Sequence, residues 1–95
     1  MRTSVAAQGA KLDKIEIYTA WWCPGSLKAK NLLETLHIPF REIDVTKGEG
    51  RVEEMVARSG RDTVPQIFID GEAIGGWDEL VGLKADGQLD RLRQK

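Results

Sequence analysis

Regular patterning begins at Lys14, where Lys14-Ile15-Glu16-Ile17-Tyr18-Thr19 alternates polar and apolar residues and is rich in β-branched and aromatic types. A period of two predicts a strand. Ala20-Trp21-Trp22-Cys23 reads as a turn, and Pro24 then falls in a first helical turn, where a missing amide hydrogen costs nothing. Ala29, Leu32, Leu33 and Leu36 recur at helical spacing and predict an amphipathic helix of roughly three turns, stopped by Ile38-Pro39.

Phe40 to Val45 alternates again and predicts a second short strand. Thr46-Lys47-Gly48-Glu49 has the spacing of a capping box, so a second helix is expected to follow it. Val52, Met55 and Val56 would point inward, with Gly60 just past the helix end. After Thr63-Val64-Pro65, the run Gln66-Ile67-Phe68-Ile69 predicts a third strand. Asp70-Gly71 is a two-residue hairpin signal that returns the chain as Glu72-Ala73-Ile74. Gly75-Gly76 breaks that strand, and Trp77-Asp78-Glu79-Leu80 opens another helix with acids at its positive end. A last short helix is expected near Asp86, with Leu89 and Leu92 as its apolar face. The order β-α-β-α-β-β-α-α implies a parallel pair joined by a crossover helix, extended by an antiparallel hairpin. The fold class is α/β: a four-stranded mixed sheet flanked by helices.

Composition narrows what such a fold is for. At 95 residues there is room for one compact domain, taken as residues 13–95. Residues 1–12, Met1 to Leu12, lack the apolar centre of a secretory signal and are expected to be a loose, flexible lead-in. Fourteen Lys and Arg stand against fifteen Asp and Glu, a balance that steers the chain to neither nucleic acid nor an anionic membrane. No apolar run reaches the length that crosses a bilayer. The expected partner is therefore a small molecule or a protein. A single cysteine forbids an internal disulfide and makes a reducing compartment, the cytoplasm, the expected setting.

That cysteine, Cys23, lies where a strand ends and a helix begins. The first amides of a helix have no partners within it and, together with the dipole, favour a sulfur anion. A thiol in such a place is expected to be reactive. Lys28 and Lys30 add positive potential, and the Ser26 hydroxyl is expected to donate to the sulfur. The plainer alternative is a buried cysteine acting as a small hydrophobe. Its C-terminal neighbours Pro24, Gly25 and Ser26 are turn and helix-start residues, which favours the reactive reading. Trp21 and Trp22 beside it are either an exposed apolar wall against a ligand or partner, or core at a strand end. His37, alone at a helix end, suits a capping or solvated role, and no His/Cys cluster has zinc spacing.

Ile17-Tyr18-Thr19, then Cys23-Pro24-Gly25-Ser26, Lys28-Ala29-Lys30 and Leu33, resemble the active-site strand and helix of glutaredoxins, which have the thioredoxin-like fold. Thr63-Val64-Pro65-Gln66-Ile67-Phe68-Ile69-Asp70-Gly71, with Ile74-Gly75-Gly76 and Asp78, resembles that family's glutathione-binding half. The likeness runs from about Lys14 to Leu92. It implies a catalytic group of Cys23, Pro24 and Ser26, with Cys23 as nucleophile. It implies glutathione binding by Cys23, Thr63, Val64, Pro65, Gly76, Trp77 and Asp78. In that scheme Val64 pairs with the ligand through its backbone, in the manner of an added strand. Pro65 is cis beside the sulfur. Gly76 and Trp77 offer amides to the γ-glutamyl carboxylate, and Asp78 meets the same group's ammonium. Taken singly, these residues also suit a plain strand entry, a glycine turn and a first-turn acid.

Two departures from the family pattern shape the expected chemistry. Ser26 stands where dithiol members have a second cysteine, so the resemblance implies a monothiol cycle on glutathione mixed disulfides of proteins or small thiols. Ala20 stands where relatives often have a basic residue for the glutathione glycine carboxylate, leaving Arg51, Arg58 or Arg61 as substitutes. An alternative implied by single-thiol relatives is a carrier in which two chains, each with Cys23 and a bound glutathione, hold a [2Fe–2S] cluster. Pro24 resembles the catalytic members, whereas Gly25 and Ser26 relieve crowding and resemble the cluster-tolerant ones, and the Cys-Gly-Phe-Ser sequence of dedicated cluster carriers is missing. A monomer that acts on glutathione adducts is the expectation, with Cys23 a metal ligand only in a cluster-bridged dimer.

Overall fold

The computed structural model describes residues 14–93, so the expected flexible lead-in, residues 1–12, lies outside the described residues. The elements are β1 (Ile15–Thr19), α1 (Pro24–Thr35), β2 (Phe40–Asp44), α2 (Arg51–Ser59), β3 (Gln66–Ile69), β4 (Glu72–Gly75), α3 (Trp77–Ala85) and a short 3₁₀ turn (Asp90–Leu92). The sheet order is β2-β1-β3-β4. β1 pairs parallel with β2, Ile15 opposite Phe40 and Thr19 opposite Asp44. β1 pairs antiparallel with β3, and β3 with β4. This is the four-stranded mixed α/β sheet expected from the pattern.

Alternation along the two central strands builds two cores. Ile15 and Ile17 of β1 and Ile67 and Ile69 of β3 face one side, packed with Ala29 and Leu33 of α1, Leu80 of α3, and Leu89 and Leu92. Tyr18 and Phe68, one residue out of phase, face the other side with Ile43 and Met55 of α2. Successive side chains of a strand point to opposite faces, so β1 and β3 must be apolar on both. Asp70 and Gly71 both adopt positive φ (54° and 84°), the geometry of the predicted hairpin turn.

Two helix ends differ from expectation. α1 closes at Thr35 before the Ile38-Pro39 pair is reached, because His37 takes a left-handed conformation (φ 58°). The Ile38 amide then reaches Leu33 O at 2.9 Å and the His37 amide reaches Glu34 O at 3.1 Å, a Schellman closure. At α2 the predicted capping box does not form. The helix starts at Arg51, and its N-cap is Gly50 with no side-chain cap. The Thr46 amide (2.8 Å) and hydroxyl donate instead to Asp44 at the end of β2. That hydroxyl bond holds the Asp44 carboxyl below its ordinary value. The sequence spacing is therefore a turn off β2, and the chain needs four more residues to reach the helix. The last expected helix near Asp86 is shorter than predicted. Gly87 (φ 79°) ends α3 and only the 3₁₀ turn follows, although Leu89 and Leu92 are buried as anticipated.

The inward face of α2 is also narrower than predicted. Met55 is buried, but Val52 and Val56 are exposed. The place of a second apolar side chain is taken by Arg58, whose guanidinium lies 4.1 Å from the centre of the Phe68 ring. Arg58 donates to Glu16 at 2.7 Å and to the Tyr18 hydroxyl at 2.9 Å. Tyr18 in turn donates to Glu54. Burial, helped by the Glu54 bond, raises the Tyr18 phenol, and the Tyr18 hydroxyl holds the Glu54 carboxyl low. Glu54 therefore adds stability above the ordinary carboxylate range and loses it as pH falls through its own lowered value. A cation packed on a ring and doubly hydrogen-bonded is how a mostly polar helix stays seated on the sheet.

Replacing Arg58 with Ala is expected to lower the unfolding free energy by about 2 kcal/mol, as read from urea denaturation. Arg58→Lys should recover less than half of that, because an ammonium cannot fork between Glu16 and Tyr18 while lying flat on Phe68.

Candidate active site

The site grows from the C-terminal end of β1. Ala20 is buried, and the Cys23 amide donates back to its carbonyl at 3.0 Å, closing a tight turn with Trp21 and Trp22 at its corners. Cys23 becomes the N-cap of α1, with extended backbone (φ −94°, ψ 115°), and Pro24 takes the first helical position. The sulfur is thereby carried to the helix mouth and stays partly exposed, which excludes the core-filler alternative. The two tryptophans are both exposed, so neither is core.

Ser26 behaves differently from expectation. It is buried, and its hydroxyl oxygen accepts the Ala20 amide at 3.2 Å. Among the hydrogen bonds of the described residues it makes none to the Cys23 sulfur. Position explains this: Ser26 is on the inward side of the first turn, and the amide left over at the end of β1 is the nearer partner. Ser26 fixes the turn that presents the thiol.

The Cys23 sulfur likewise makes no cap to the α1 amides. Its S–H donates to the Val64 carbonyl at 3.4 Å.

The Val64–Pro65 peptide is cis, as expected. Pro65 is the hub on which three segments meet. A Cβ on Gly25 would come within 3.2 Å of Pro65 Cδ and 3.8 Å of the Cys23 sulfur. A Cβ on Gly76 would come within 3.1 Å of the Pro65 carbonyl oxygen. These two glycines are what allow α1 and the start of α3 to close on the cis-proline. Cys23, Val64, Pro65 and Gly76 are thus brought together. Thr63 is next to them, with its hydroxyl accepting from Gln66 Nε2 at 3.2 Å.

At α3 the structure revises the expected division of labour. The Gly76 amide is not offered outward: it donates to Glu79 Oε1 at 2.8 Å. That bond holds the Glu79 carboxyl below its ordinary value. Gly75 has φ 113°, and a Cβ there would sit 2.7 Å from the Glu79 side chain, so glycine is required where Glu79 folds back. The Trp77 side chain is partly buried against the main core. First-turn amides have no acceptor inside their own helix, and those of Trp77 and Asp78 are next in line after Gly76. Asp78 is exposed beside them. Glu79 was not among the residues singled out from sequence, although its spacing of three from Gly76 is the acidic half of a capping box and signals the contact.

Of the three arginines considered as substitutes for the basic residue at position 20, Arg58 is committed to Glu16, Tyr18 and Phe68, and Arg51 pairs with Glu54 at 3.1 Å. Arg61 approaches Glu79 only at 4.0 Å, between two half-exposed side chains. It is the one placed toward the α3 side of the groove. Among the described residues there is no group of three or more His, Cys, Asp or Glu able to hold a metal ion, and no helix is long and apolar enough to cross a membrane.

Comparison with known proteins agrees with this geometry. The family model described as Glutaredoxin matches residues 15–74, which include the Cys23 turn, the cis-proline and the hairpin. Glutaredoxin 3 of Escherichia coli (strain K12) is 49% identical over 81 residues, covering 85% of this chain and 98% of the relative. A probable glutaredoxin of Synechocystis is 45% identical over 87 residues, covering 90% of this chain and 79% of the relative. Among solved structures, glutaredoxin from Brucella melitensis superposes with a TM-score of 0.71 at 42% identity, covering 84% of this chain and 87% of that one. A buckwheat glutaredoxin–glutathione complex superposes with a TM-score of 0.77 at 24% identity over 93% of this chain and 86% of that one, a likeness of fold. With a family match over most of the described residues and relatives approaching half identity over four fifths or more of this chain, this chain belongs to the glutaredoxin family, a family of thiol–disulfide oxidoreductases.

Proposed function

We propose that the protein reduces glutathione mixed disulfides, of proteins or of small thiols, by a monothiol cycle through Cys23. The observation that carries this reading is the position of the Cys23 sulfur, at the mouth of α1 and 3.4 Å from the Val64 carbonyl beside cis-Pro65. The lone cysteine supports a cycle without an internal disulfide. One fold relative, the buckwheat glutaredoxin, is known in complex with glutathione, which supports the choice of ligand.

In the first step the Cys23 thiolate attacks the glutathionyl sulfur of the mixed disulfide. The substrate's S–S bond breaks, a Cys23–glutathione disulfide forms, and the partner's sulfur leaves as a thiolate that takes up a proton from water. In the second step a glutathione thiolate attacks the glutathionyl sulfur held on Cys23. Oxidised glutathione leaves, and Cys23 returns as a thiolate. One disulfide is consumed and one is formed: the glutathionyl unit leaves joined to the incoming glutathione and the partner is released as a thiol, so the exchange balances.

Binding follows from the groove. The ligand's cysteine backbone pairs with Val64 as an added strand, and its γ-glutamyl carboxylate takes the amides of Trp77 and Asp78. The Asp78 carboxylate meets the γ-glutamyl ammonium. Glu79, by taking the Gly76 amide, holds the β4–α3 junction in the shape that keeps those two amides turned outward. The cluster-carrying alternative draws four thiolates from two chains and two glutathiones. Transfer needs only one chain and the groove it carries, so transfer is the reading taken forward, with the protein as a monomer in the reducing cytoplasm that its lone thiol suits.

Cys23→Ser is expected to abolish turnover of a glutathione mixed disulfide and the glutathione adduct seen by intact mass; surviving transfer would remove Cys23 from the nucleophile's role. On that inactive background, Asp78→Ala should weaken glutathione binding about fivefold to tenfold by calorimetry, the loss of about 1 to 1.4 kcal/mol expected for one exposed hydrogen bond. An unchanged affinity would refute its ligand role. Glu79→Ala should cost about 1 kcal/mol of stability at neutral pH, the usual size of a lost helix cap. Because the Glu79 carboxyl is held low in the folded state, its contribution is present above the ordinary carboxylate range and is lost on acidification. The urea-denaturation curves of parent and variant should therefore converge as pH falls.

A further inference from the structure

Trp21 and Trp22 are the most exposed large apolar side chains of the described residues, at 79% and 60%. The turn holds them there. Its base is pinned by the 3.0 Å bond from the Cys23 amide to the carbonyl of buried Ala20, which places both rings at the corners of a tight turn. Nothing in the turn calls for apolar residues, since turn corners ordinarily take Gly, Pro, Asn, Asp or Ser. Leu27, exposed and with its amide donating to the Cys23 carbonyl at 3.2 Å, extends the apolar surface onto the next turn of α1.

A mixed disulfide has two halves. In the reading above, the glutathionyl half lies along Val64 and the start of α3, so the other half leaves the sulfur on the side where the turn stands. Two exposed indoles offer on the order of 300 Å² of apolar surface. A lasting interface needs about 800 Å² from each partner, so this patch is too small for a permanent dimer and suits a brief encounter. Cys23 is the residue immediately after the rings, and whatever covers them carries its disulfide to that sulfur. We propose that Trp21 and Trp22 form a docking platform for the polypeptide that flanks a glutathionylated cysteine, with preference for apolar and aromatic flanks. This rests on the thiol-transfer reading and adds to it a class of protein substrate.

Three substrates test it: a peptide whose glutathionylated cysteine is flanked by Leu and Phe, the same peptide flanked by Ser and Gly, and the small mixed disulfide of glutathione with 2-mercaptoethanol. The parent protein should show the lower KM for the Leu/Phe peptide. The double variant W21A/W22A should raise that KM at least fivefold and leave its kcat, and both constants for the small disulfide, within twofold. W21F/W22F, which keeps aromatic faces, should retain most of the preference. Equal losses on all three substrates would overturn the proposal, because the rings would then serve the glutathionyl half or the placing of Cys23. No loss on any substrate would overturn it as well. So would a parent dimer in sedimentation that W21A/W22A abolishes, which would make a second copy the occupant. A parent protein inert toward the small disulfide would sink the thiol-transfer reading and the docking platform with it, a failure recognisable because no substitution is involved.

Discussion

The site depends on how the chain leaves β1. Ala20 is buried, and both of its backbone polar groups are used within six residues: its carbonyl takes the Cys23 amide and its amide meets the Ser26 hydroxyl. Buried backbone groups without partners are costly, so these two bonds settle the path of the chain between strand and helix. They determine where the sulfur lies and which way the tryptophans face. Ser26 is a structural hydroxyl here, and the Cys23 sulfur is presented by a turn pinned at its base.

Around that sulfur the protein brings together parts that are distant along the chain. Cis-Pro65 is approached by Gly25 from α1 and by Gly76 from the start of α3, each at distances that a side chain would disturb. Glu79 then secures the α3 end by taking the Gly76 amide, and Gly75 gives it the space to do so. The contacts at cis-Pro65 and at the β4–α3 junction are thus made largely through backbone.

The sheet's second face is held by different means. Only Met55 of α2 is buried, and the rest of that contact is Arg58 spread over Phe68 and bonded to Glu16 and Tyr18, with Glu54 closing the network. A helix seated by charge-assisted bonds and one apolar anchor is more sensitive to pH than the apolar packing of α1 and α3 on the other side. The two faces of one sheet therefore meet acid differently.

Strand alternation, the Asp70-Gly71 turn, Gly60 after α2 and Pro24 at the start of α1 are local signals, and each was readable because a few neighbouring residues suffice to produce it. The order of elements followed from them, and the Cys23, Thr63-Val64-Pro65 and Gly76-Asp78 segments marked the family. The failures came where a side chain had two possible partners. Thr46 had the spacing of a helix cap but bonds Asp44; Ser26 was close to a sulfur but bonds Ala20; Gly76 had an amide for a ligand but gives it to Glu79. Val52 and Val56 kept helical spacing yet lie outside, because Arg58 covers the ring they would have met. Choices of that kind turn on distances between segments far apart in the chain, and no local pattern contains them until the sheet and helices have been packed.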